Sequence, residues 1–229
     1  MNVLIACEES QTVCTAFRER GHNAFSCDLQ ECSGGHPEWH IKRDIFTLYP
    51  AHGCCFTTQA GTTENVPHFD LIIAHPPYTY LSNVATRAHS LKRTSDRMII
   101  DRTFKRIDAI KFFMRFAYHA ERTGIPTAIE NPVGIIGSVY RKPDQIIDPW
   151  MFAESVDDIE NYVKKRTALW LYNLPKLVPN DLPEPDLRAQ WGVHPSGKPR
   201  TWEDSFSRSP KVRSKTFLGI AKAMAEQWG

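Results

Sequence analysis

The sequence predicts an α/β fold with a mostly parallel central sheet flanked by helices, and three observations support this class. A short apolar run at residues 3–7 is followed by a helical pattern at 11–20 and a second apolar run at 24–27. A third apolar run, at 71–74, leads into two prolines. An amphipathic pattern at 107–120 precedes another apolar run at 127–129. Strands that alternate with helices in this way form parallel sheets.

The first part of the chain predicts a strand, a helix and a second strand. Residues 3–7 are short and apolar, as a buried strand is. In the helix predicted for residues 11–20, Val13, Ala16 and Phe17 share one face, and Gly21 provides the C-terminal stop. The second strand, at 24–27, ends at Asp28, and Asp44 lies in a later segment at 40–45.

The remaining elements follow the same pattern, with less regular sequence between them. Residues 107–120 carry apolar positions at 107, 110, 113, 114 and 117, which predicts a core-facing helix ended by Gly124. Strands are predicted before Glu130 and at 167–172, with a loop-rich stretch at 134–160 between them. We expect a core over residues 1–174, an irregular proline-rich segment over 175–210, and a C-terminal helix within 211–229 that completes the core.

The first two strands and their carboxylates have the layout of a nucleoside-binding unit. In such a unit, an acidic residue about twenty positions on accepts hydrogen bonds from the ribose hydroxyls. Asp28 and Asp44 are the candidates, although either carboxylate could instead cap a helix or a turn. The first turn lacks the GxGxxG glycines, which disfavours a dinucleotide. The candidate ligand contacts are Ala6, Cys7, Glu8, Asp28, Leu29, Asp44, Ile45 and His75.

The most informative motif is His75-Pro76-Pro77-Tyr78, which follows the third apolar strand. Two prolines fix φ and remove two backbone donors, so they hold the chain in a stiff, extended turn. Open α/β sheets place their active sites at this end of the strands. Tyr78 could stack on a nucleobase while His75 hydrogen-bonds its edge. An ordinary junction between strand and loop is the alternative.

Three blocks in this order resemble the Rossmann-type S-adenosylmethionine-dependent DNA methyltransferases, in particular small phage-type DNA cytosine methyltransferases. Residues 70–82 are similar to the catalytic block of the carbon-5 cytosine enzymes, which reads D-h-h-h-G-G-P-P-C-Q-G-F-S. Residues 128–134 resemble that family's later Glu-Asn-Val block, and residues 213–221 its C-terminal segment. The resemblance implies a Rossmann-like methyltransferase fold, S-adenosyl-L-methionine as cofactor and catalysis by the core over residues 1–174. The segment over 175–210 is then a candidate for target recognition.

The sequence departs from the carbon-5 family at the nucleophile, because Tyr78 stands where those enzymes carry cysteine. A phenol with a pKa of about 10 is a poor substitute for a thiol near 8.5. The His-Pro-Pro-Tyr block instead resembles the D/N/S-P-P-Y/F block of amino-methyltransferases. That resemblance implies that His75 and a proline-flanked carbonyl accept hydrogen bonds from the exocyclic amine while Tyr78 stacks. The catalytic candidates are His75, Pro76, Pro77, Tyr78 and Glu130.

Glu130 has two interpretations. The matching glutamate of the carbon-5 family contacts the cytosine ring nitrogen and amine, so Glu130 could orient an amine-bearing base. It could instead be a strand-end carboxylate that caps the turn at Asn131-Pro132. The apolar run before it ends at the same sheet edge as His75, which favours a role in the site.

The length and composition of the chain narrow the range of protein types to which it could belong. The chain has 229 residues, a net charge of +2 and no apolar stretch long enough to span a membrane. Its first apolar run is too short for a signal peptide and lacks a basic lead, so we expect a cytoplasmic enzyme of a bacterium or phage-infected host. The six cysteines show no clean CxxC framework, so we expect no metal. No obligate protein partner is evident.

The charge is unevenly distributed. Seven basic residues and two acidic ones lie between residues 86 and 106, and six basic and two acidic ones lie between 196 and 215. Basic segments that bracket a site attract phosphates, although the first could simply be a solvated helix face. The candidate DNA contacts are Arg87, Lys92, Arg93, Arg97, Lys164, Lys165, Arg166, Lys211 and Arg213.

The sequence therefore predicts methyl transfer to the exocyclic amine of a flipped DNA base, adenine before cytosine, without a covalent intermediate. One alternative is a carbon-5 cytosine methyltransferase with a substitute nucleophile. Another is a catalytically silent relative that binds DNA or cofactor, in which Tyr78 marks lost activity.

Overall fold

The computed structural model describes residues 1–48, 54–83, 85, 94–205 and 215–229, apart from the side chains at 203 and 205. Its central sheet has seven strands in the order β3-β2-β1-β6-β7-β9-β8. These strands are β1 (Asn2–Ala6), β2 (Asn23–Asp28), β3 (His40–Lys42), β6 (Leu71–Ala74), β7 (Thr127–Pro132), β8 (Gln145–Ile147) and β9 (Thr167–Tyr172). A separate hairpin pairs β4 (Cys54–Thr57) with β5 (Thr63–Val66).

The sheet is mostly parallel, as the sequence predicts. β1 pairs in parallel with both β2 and β6, β2 with β3, and β6 with β7. β9 runs antiparallel between β7 and β8. The chain winds outward from β1 to β3 and then returns to place β6 on the other side of β1. Such a reversal opens a crevice at the carboxyl ends of the two strands, where α/β sheets bind ligands.

Helices cover both faces of the sheet. On one face, α1 (Thr12–Glu19) and the C-terminal α6 (Leu218–Trp228) bury Val13, Phe17 and Met224 against Val3 and Ile5. On the other face, α2 (Asp96–Thr123) buries its second half. The residues that pack there are Leu4, Phe25, Phe113, Phe116, Ala117 and Trp170. Successive residues of β1 thus serve opposite cores, as the two-residue period of a strand requires.

The long helix α2 begins eleven residues before the pattern at 107–120. Its first half carries few buried residues, so no apolar face marks it in the sequence. Its end lies where predicted, because Gly124 has a φ of 68° and its N–H donates to the Ala120 carbonyl. A side chain at that left-handed position would be strained.

Several short elements were not predicted. They are β3, the β4–β5 hairpin, β8, α3 (Ile136–Val139), α4 (Leu187–Trp191) and α5 (Trp202–Ser205). Short 3₁₀ turns also occur at Pro37–Trp39, Ile45–Thr47 and Pro149–Phe152. The proline-rich stretch after residue 175 therefore contains two short helices in its described part. Among the described residues, no helix is long and apolar enough to cross a membrane.

Candidate functional site

The crevice between β1 and β6 is formed by the backbone that follows each strand. His75 N–H donates to the Ala6 carbonyl at 2.9 Å, and Cys7 N–H donates to the Cys27 carbonyl at 2.7 Å. Cys7 has a φ of 61°, an uncommon conformation for a residue other than glycine. These bonds lock the ends of β1, β2 and β6 together at the predicted ligand-binding edge.

His75 and Glu130 form a close hydrogen-bonded pair at this edge. Ala74 of β6 is in register with Ile129 of β7, so the residues that follow them, His75 and Glu130, lie side by side. His75 Nδ1 lies 2.7 Å from Glu130 Oε2, and their side chains are only 12% and 19% exposed. The sequence analysis predicted that both residues lie at this edge of the sheet. The register of the two strands brings them within hydrogen-bonding distance.

The pair changes the protonation of both groups. Burial lowers the pKa of His75, but the hydrogen bond that His75 donates to Glu130 and the charges of Glu130 and Glu8 together outweigh it and raise the pKa. Burial raises the pKa of Glu130, and the His75 hydrogen bond and the charges of His75 and Lys165 outweigh it and lower the pKa. Glu130 is therefore an ionised acceptor for His75 Nδ1–H.

His75 Nε2 is buried and has no hydrogen-bond partner among the described residues. Because Nδ1 donates to Glu130, Nε2 of the neutral ring has to be the acceptor nitrogen. An unsatisfied buried polar atom costs about 1–3 kcal/mol. A ligand group that donates a hydrogen bond to Nε2 would recover that free energy.

The turn after His75 is held by the segment that follows Glu130. Asn131, which is 1% exposed, donates from Nδ2 to the Pro76 carbonyl at 2.9 Å. Gly134 packs on the turn so closely that a Cβ there would collide with the Leu81 carbonyl oxygen. Ile135 N–H donates to that same carbonyl at 2.9 Å. The backbone around Tyr78 is therefore fixed by buried contacts as well as by the two prolines.

Two carboxylates lie on the other side of the crevice, near Cys7. Burial raises the pKa of the Cys7 thiol well above its usual range, and the charges of Asp28 and Asp44 raise it further. Each carboxylate also caps a local turn: Asp28 accepts from Gln30 N–H and Asp44 from Phe46 N–H, both at 2.9 Å. The turn-capping interpretation of both residues is therefore confirmed, and each carboxylate keeps further acceptor capacity.

The other candidate cofactor contacts have different surroundings. Leu29 is 71% exposed beside Asp28, whereas Ala6 and Ile45 are buried in the core. Glu8 is 4% exposed, and its two carboxylate oxygens accept from Val13 N–H and Cys14 N–H at 2.6 and 3.2 Å. Glu8 therefore caps the N-terminal end of α1, a role that the sequence analysis did not assign to it.

The candidate DNA contacts are only partly described. Arg87, Lys92, Arg93, Lys211 and Arg213 lie outside the described residues. Arg97, on the first turn of α2, and Arg166 are exposed. Lys164 pairs with Glu184 at 2.7 Å, and Lys165 Nζ lies 5.2 Å from the ring centres of both Trp202 and Phe217. The ammonium of Lys165 thus contacts aromatic rings of its own chain.

A cavity of about 230 Å³ lies where the first turns of α1 and α6 meet. It is lined by Thr12, Asn161, Trp202, Lys215, Phe217 and Leu218, among others. The sequence analysis did not select these residues as a site. For Lys215, Phe217 and Leu218, the signal available in the sequence was that residues 213–221 resemble a segment that closes the cofactor site. Within the described ranges, no three His, Cys, Asp or Glu side chains cluster closely enough to hold a metal ion.

Comparison with known proteins does not assign the chain to a family. No protein-family model matches this sequence, and no curated protein matches it significantly.

Proposed function

We propose that this protein is an S-adenosylmethionine-dependent DNA methyltransferase that acts on the exocyclic amine of a flipped base, adenine in preference to cytosine. The observation that carries the proposal is the His75–Glu130 pair beside the rigid Pro76-Pro77-Tyr78 turn, at the switch point of a mostly parallel sheet. This combination places a hydrogen-bond acceptor, a backbone carbonyl and an aromatic ring at one edge.

His75 would recognise the amine and take up its proton. In the neutral ring, Nε2 accepts one amine N–H, and the Pro76 carbonyl, held by Asn131, accepts the other. As the amine nitrogen becomes methylated, it must lose a proton, and Nε2 is the base in reach. Glu130 holds the ring in the required tautomer and stabilises the imidazolium that results. Glu130 and His75 are thus related as carboxylate and histidine are in the serine-hydrolase triad.

The thiol chemistry of the carbon-5 alternative is poorly supported by the cysteines near the crevice. Burial raises the pKa of Cys7 well above the usual thiol range, and burial with the charge of Asp28 raises that of Cys27 to about 12. Since the thiolate is the nucleophile, these residues would be almost entirely in the unreactive form at neutral pH. The amine route needs no thiolate.

Groups at the crevice support a nucleoside as the ligand. Asp28 and Asp44 provide carboxylates for ribose hydroxyls, and exposed Leu29 provides an apolar surface for a base. A glycine-rich phosphate-binding turn is not required, because S-adenosylmethionine carries no phosphate. When bound, the cofactor supplies an electrophilic methyl group on a sulfonium centre.

The decisive experiment is mass spectrometry of nucleosides from DNA incubated with the protein and isotope-labelled cofactor. We expect labelled N6-methyladenine, and its loss in His75→Ala. His68→Ala is the matched control, because His68 is a surface histidine that pairs with Asp70 at the opposite end of β6.

Other products distinguish the alternatives. Labelled 5-methylcytosine, or a covalent adduct with DNA that contains 5-fluorocytosine, would replace the amine assignment with the carbon-5 route. The absence of methylated nucleosides with both bases offered in many sequence contexts would favour the silent relative.

A further inference from the structure

A chain of hydrogen bonds leads from the start of α1 to the carboxylate of Asp28. Gln11 Nε2 donates to Ser26 Oγ at 3.3 Å, and Ser26 Oγ lies 2.8 Å from His40 Nδ1. His40 Nε2 lies 2.9 Å from the Gln30 carbonyl oxygen, and Gln30 N–H donates to Asp28 Oδ1 at 2.9 Å. The side chains of Gln11, Ser26 and His40 are fully buried. We call these contacts the Asp28 network.

The positions of the protons in this network follow from the chemistry of its members. The Gln30 carbonyl can only accept, so His40 Nε2 carries a proton and donates it. In a neutral ring, Nδ1 is then the acceptor, and the Ser26 hydroxyl donates to it. Gln11 Nε2 has two protons, one for Ser26 Oγ and one for the His36 carbonyl at 2.8 Å. Each of these donors therefore has its acceptor, and the network has one direction.

The ring of His40 is held in the neutral form that this arrangement requires. Burial lowers the pKa of His40 below the usual histidine range and is the largest influence on it. The hydrogen bond to Gln30 and the charges of Asp28 and Glu9 raise the pKa by less. The charge of Lys42 lowers it further. A protonated ring would make Nδ1 a donor, and the hydroxyl proton that it accepts would lose its acceptor.

The network also fixes the loop that follows β2, residues 29–36. Gln11 holds the far end of this loop, because His36 N–H donates to Gln11 Oε1 at 3.1 Å while Gln11 donates to the His36 carbonyl. Gln11 has a left-handed φ of 59°, a strained conformation that persists where surrounding contacts determine it. His40 holds the near end of the loop through the Gln30 carbonyl. Both ends are thus attached to buried side chains.

The bond between Gln30 and Asp28 depends on this support from the interior. Gln30 is exposed, so water competes for its N–H and the bond to Asp28 alone would hold the carboxylate weakly. The opposite side of the same residue is fixed, because buried His40 donates to its carbonyl. With Oδ1 of Asp28 engaged by Gln30, the direction of Oδ2 is set as well, since a carboxylate is planar.

We propose that His40 is a positioning residue for the ligand crevice, which holds Gln30 in place and through it orients the Asp28 carboxylate toward the ribose of a nucleoside ligand. The identification of that ligand as S-adenosylmethionine rests on the proposed function. The orientation of Asp28 by His40 does not, so the two can be tested separately.

Nuclear magnetic resonance on the full-length protein tests the network without a ligand. The imidazole nitrogen shifts of His40 should show the neutral Nε2–H tautomer at neutral pH. In His40→Leu, the amide order parameters of residues 29–31 should fall from about 0.85 toward 0.6, because leucine cannot donate to Gln30. The Nδ1–H tautomer in the wild type, or unchanged order parameters in a folded variant, would overturn the proposal. The tautomer is measured on the wild type and decides the question even if the variant does not fold.

Two further variants separate positioning from a general loss of stability. His40→Gln keeps an N–H donor for the Gln30 carbonyl and should restore most of the rigidity of the loop. His68→Leu is the matched control, because it replaces a histidine that is 60% exposed, and it should match the wild type. A loop as mobile in His40→Gln as in His40→Leu would show that the bond to Gln30 is not what holds it.

Calorimetry with S-adenosylmethionine connects the network to the ligand. His40→Leu should weaken binding roughly three- to tenfold, a part of the loss expected for Asp28→Ala. The double variant should bind no more weakly than Asp28→Ala alone, because His40 acts through Asp28. Additive losses, or unchanged affinity in His40→Leu, would overturn the proposal. If the wild type binds no S-adenosylmethionine while the order parameters respond as expected, the cofactor assignment fails and the role of His40 stands.

Discussion

Replacing Glu130 with glutamine tests whether the buried pair controls the base. The substitution keeps the size and an acceptor for His75 Nδ1–H but removes the negative charge. A hydrogen bond to a charged group contributes about 1.5–3 kcal/mol and a neutral one about 0.5–1.5 kcal/mol. The difference of about 1–2 kcal/mol predicts a roughly 5- to 30-fold fall in kcat, if it is expressed in the transition state.

The pH dependence of kcat should also change in this variant, and the shifted pKa of His75 gives the direction of the change. Methyl transfer needs neutral His75, so kcat of the wild-type protein should rise with pH through the raised pKa of His75. Glu130→Gln removes the largest influence that raises this pKa, so the acid limb should move to lower pH while the plateau falls. A merely structural role would reduce activity at every pH without moving the limb.

The stability of the folded protein should also depend on the protonation of His75 and Glu130. The raised pKa of His75 contributes stability that is full below its unfolded value and is lost as pH rises through the folded one. The lowered pKa of Glu130 contributes stability that is present above its unfolded value and is lost as pH falls through the folded one. The deficit of Glu130→Gln should therefore be largest between the unfolded pKa of glutamate and the unfolded pKa of histidine, and it should disappear as pH passes the folded pKa values on either side.

Rate profiles, denaturant unfolding and cofactor calorimetry on the same variant complete the test. Cofactor affinity should stay close to that of the wild type, because Glu130 lies on β7 whereas the proposed ribose contacts Asp28 and Asp44 lie on the far side of β1. An unmoved acid limb with an unchanged plateau, in a folded variant, would refute the role of the pair. Equal losses of kcat and cofactor affinity would assign Glu130 to the cofactor site or the fold.

The remaining predictions concern the cofactor, the base, the turn and the DNA. Asp28→Ala should weaken S-adenosylmethionine binding by about 1–3 kcal/mol, measured by calorimetry, and unchanged affinity would remove Asp28 from the site. Tyr78→Phe should retain most activity, whereas Tyr78→Ala should lose about 1–3 kcal/mol of stacking in both turnover and DNA binding; equal effects would exclude stacking. Gly134→Ala should lower the melting temperature and activity together, because its Cβ would displace the Leu81 carbonyl; a variant as stable as the wild type would contradict the packing. Arg166→Ala should reduce the magnitude of the salt slope of DNA binding by about one unit, while Arg20→Ala, at the end of α1, should not; equal slopes would exclude a phosphate contact.

The elements that the sequence predicted correctly are those whose signal is local. β1, α1, β9 and α6 each combine a clear apolar pattern with a length typical of their class, and Gly124 ends α2 at a left-handed position. The three-residue strands β3 and β8 carry no such pattern, because their place in the sheet is set by pairing with distant neighbours. The first half of α2 escaped prediction because its apolar residues face solvent rather than the core.

The sequence predicted where the candidate site lies in the fold, but it did not predict which side chains contact one another there. Strand ends indicated the edge at which His75 and Glu130 lie, but their hydrogen bond depends on the register of β6 and β7, which no local pattern encodes. Glu8 was assigned to the ligand because it follows β1. Its role as a cap follows from Gln11, which has a left-handed backbone and makes no side-chain cap, so that the helix takes its acceptor from farther upstream.

The turn after His75 is rigid because several groups of the fold hold its backbone. Pro76 and Pro77 restrict the backbone, Asn131 and Ile135 hold two of its carbonyls, and Arg106 Nε donates to the Tyr80 carbonyl at 3.0 Å from the α2 side. The cost of ordering these groups is met during folding rather than at each substrate encounter. With the turn held from both sides and Nδ1 committed to Glu130, His75 Nε2 stays buried and without a partner among the described residues. In the proposed function, a hydrogen-bond donor that reaches Nε2 would meet an acceptor that is already oriented and already desolvated.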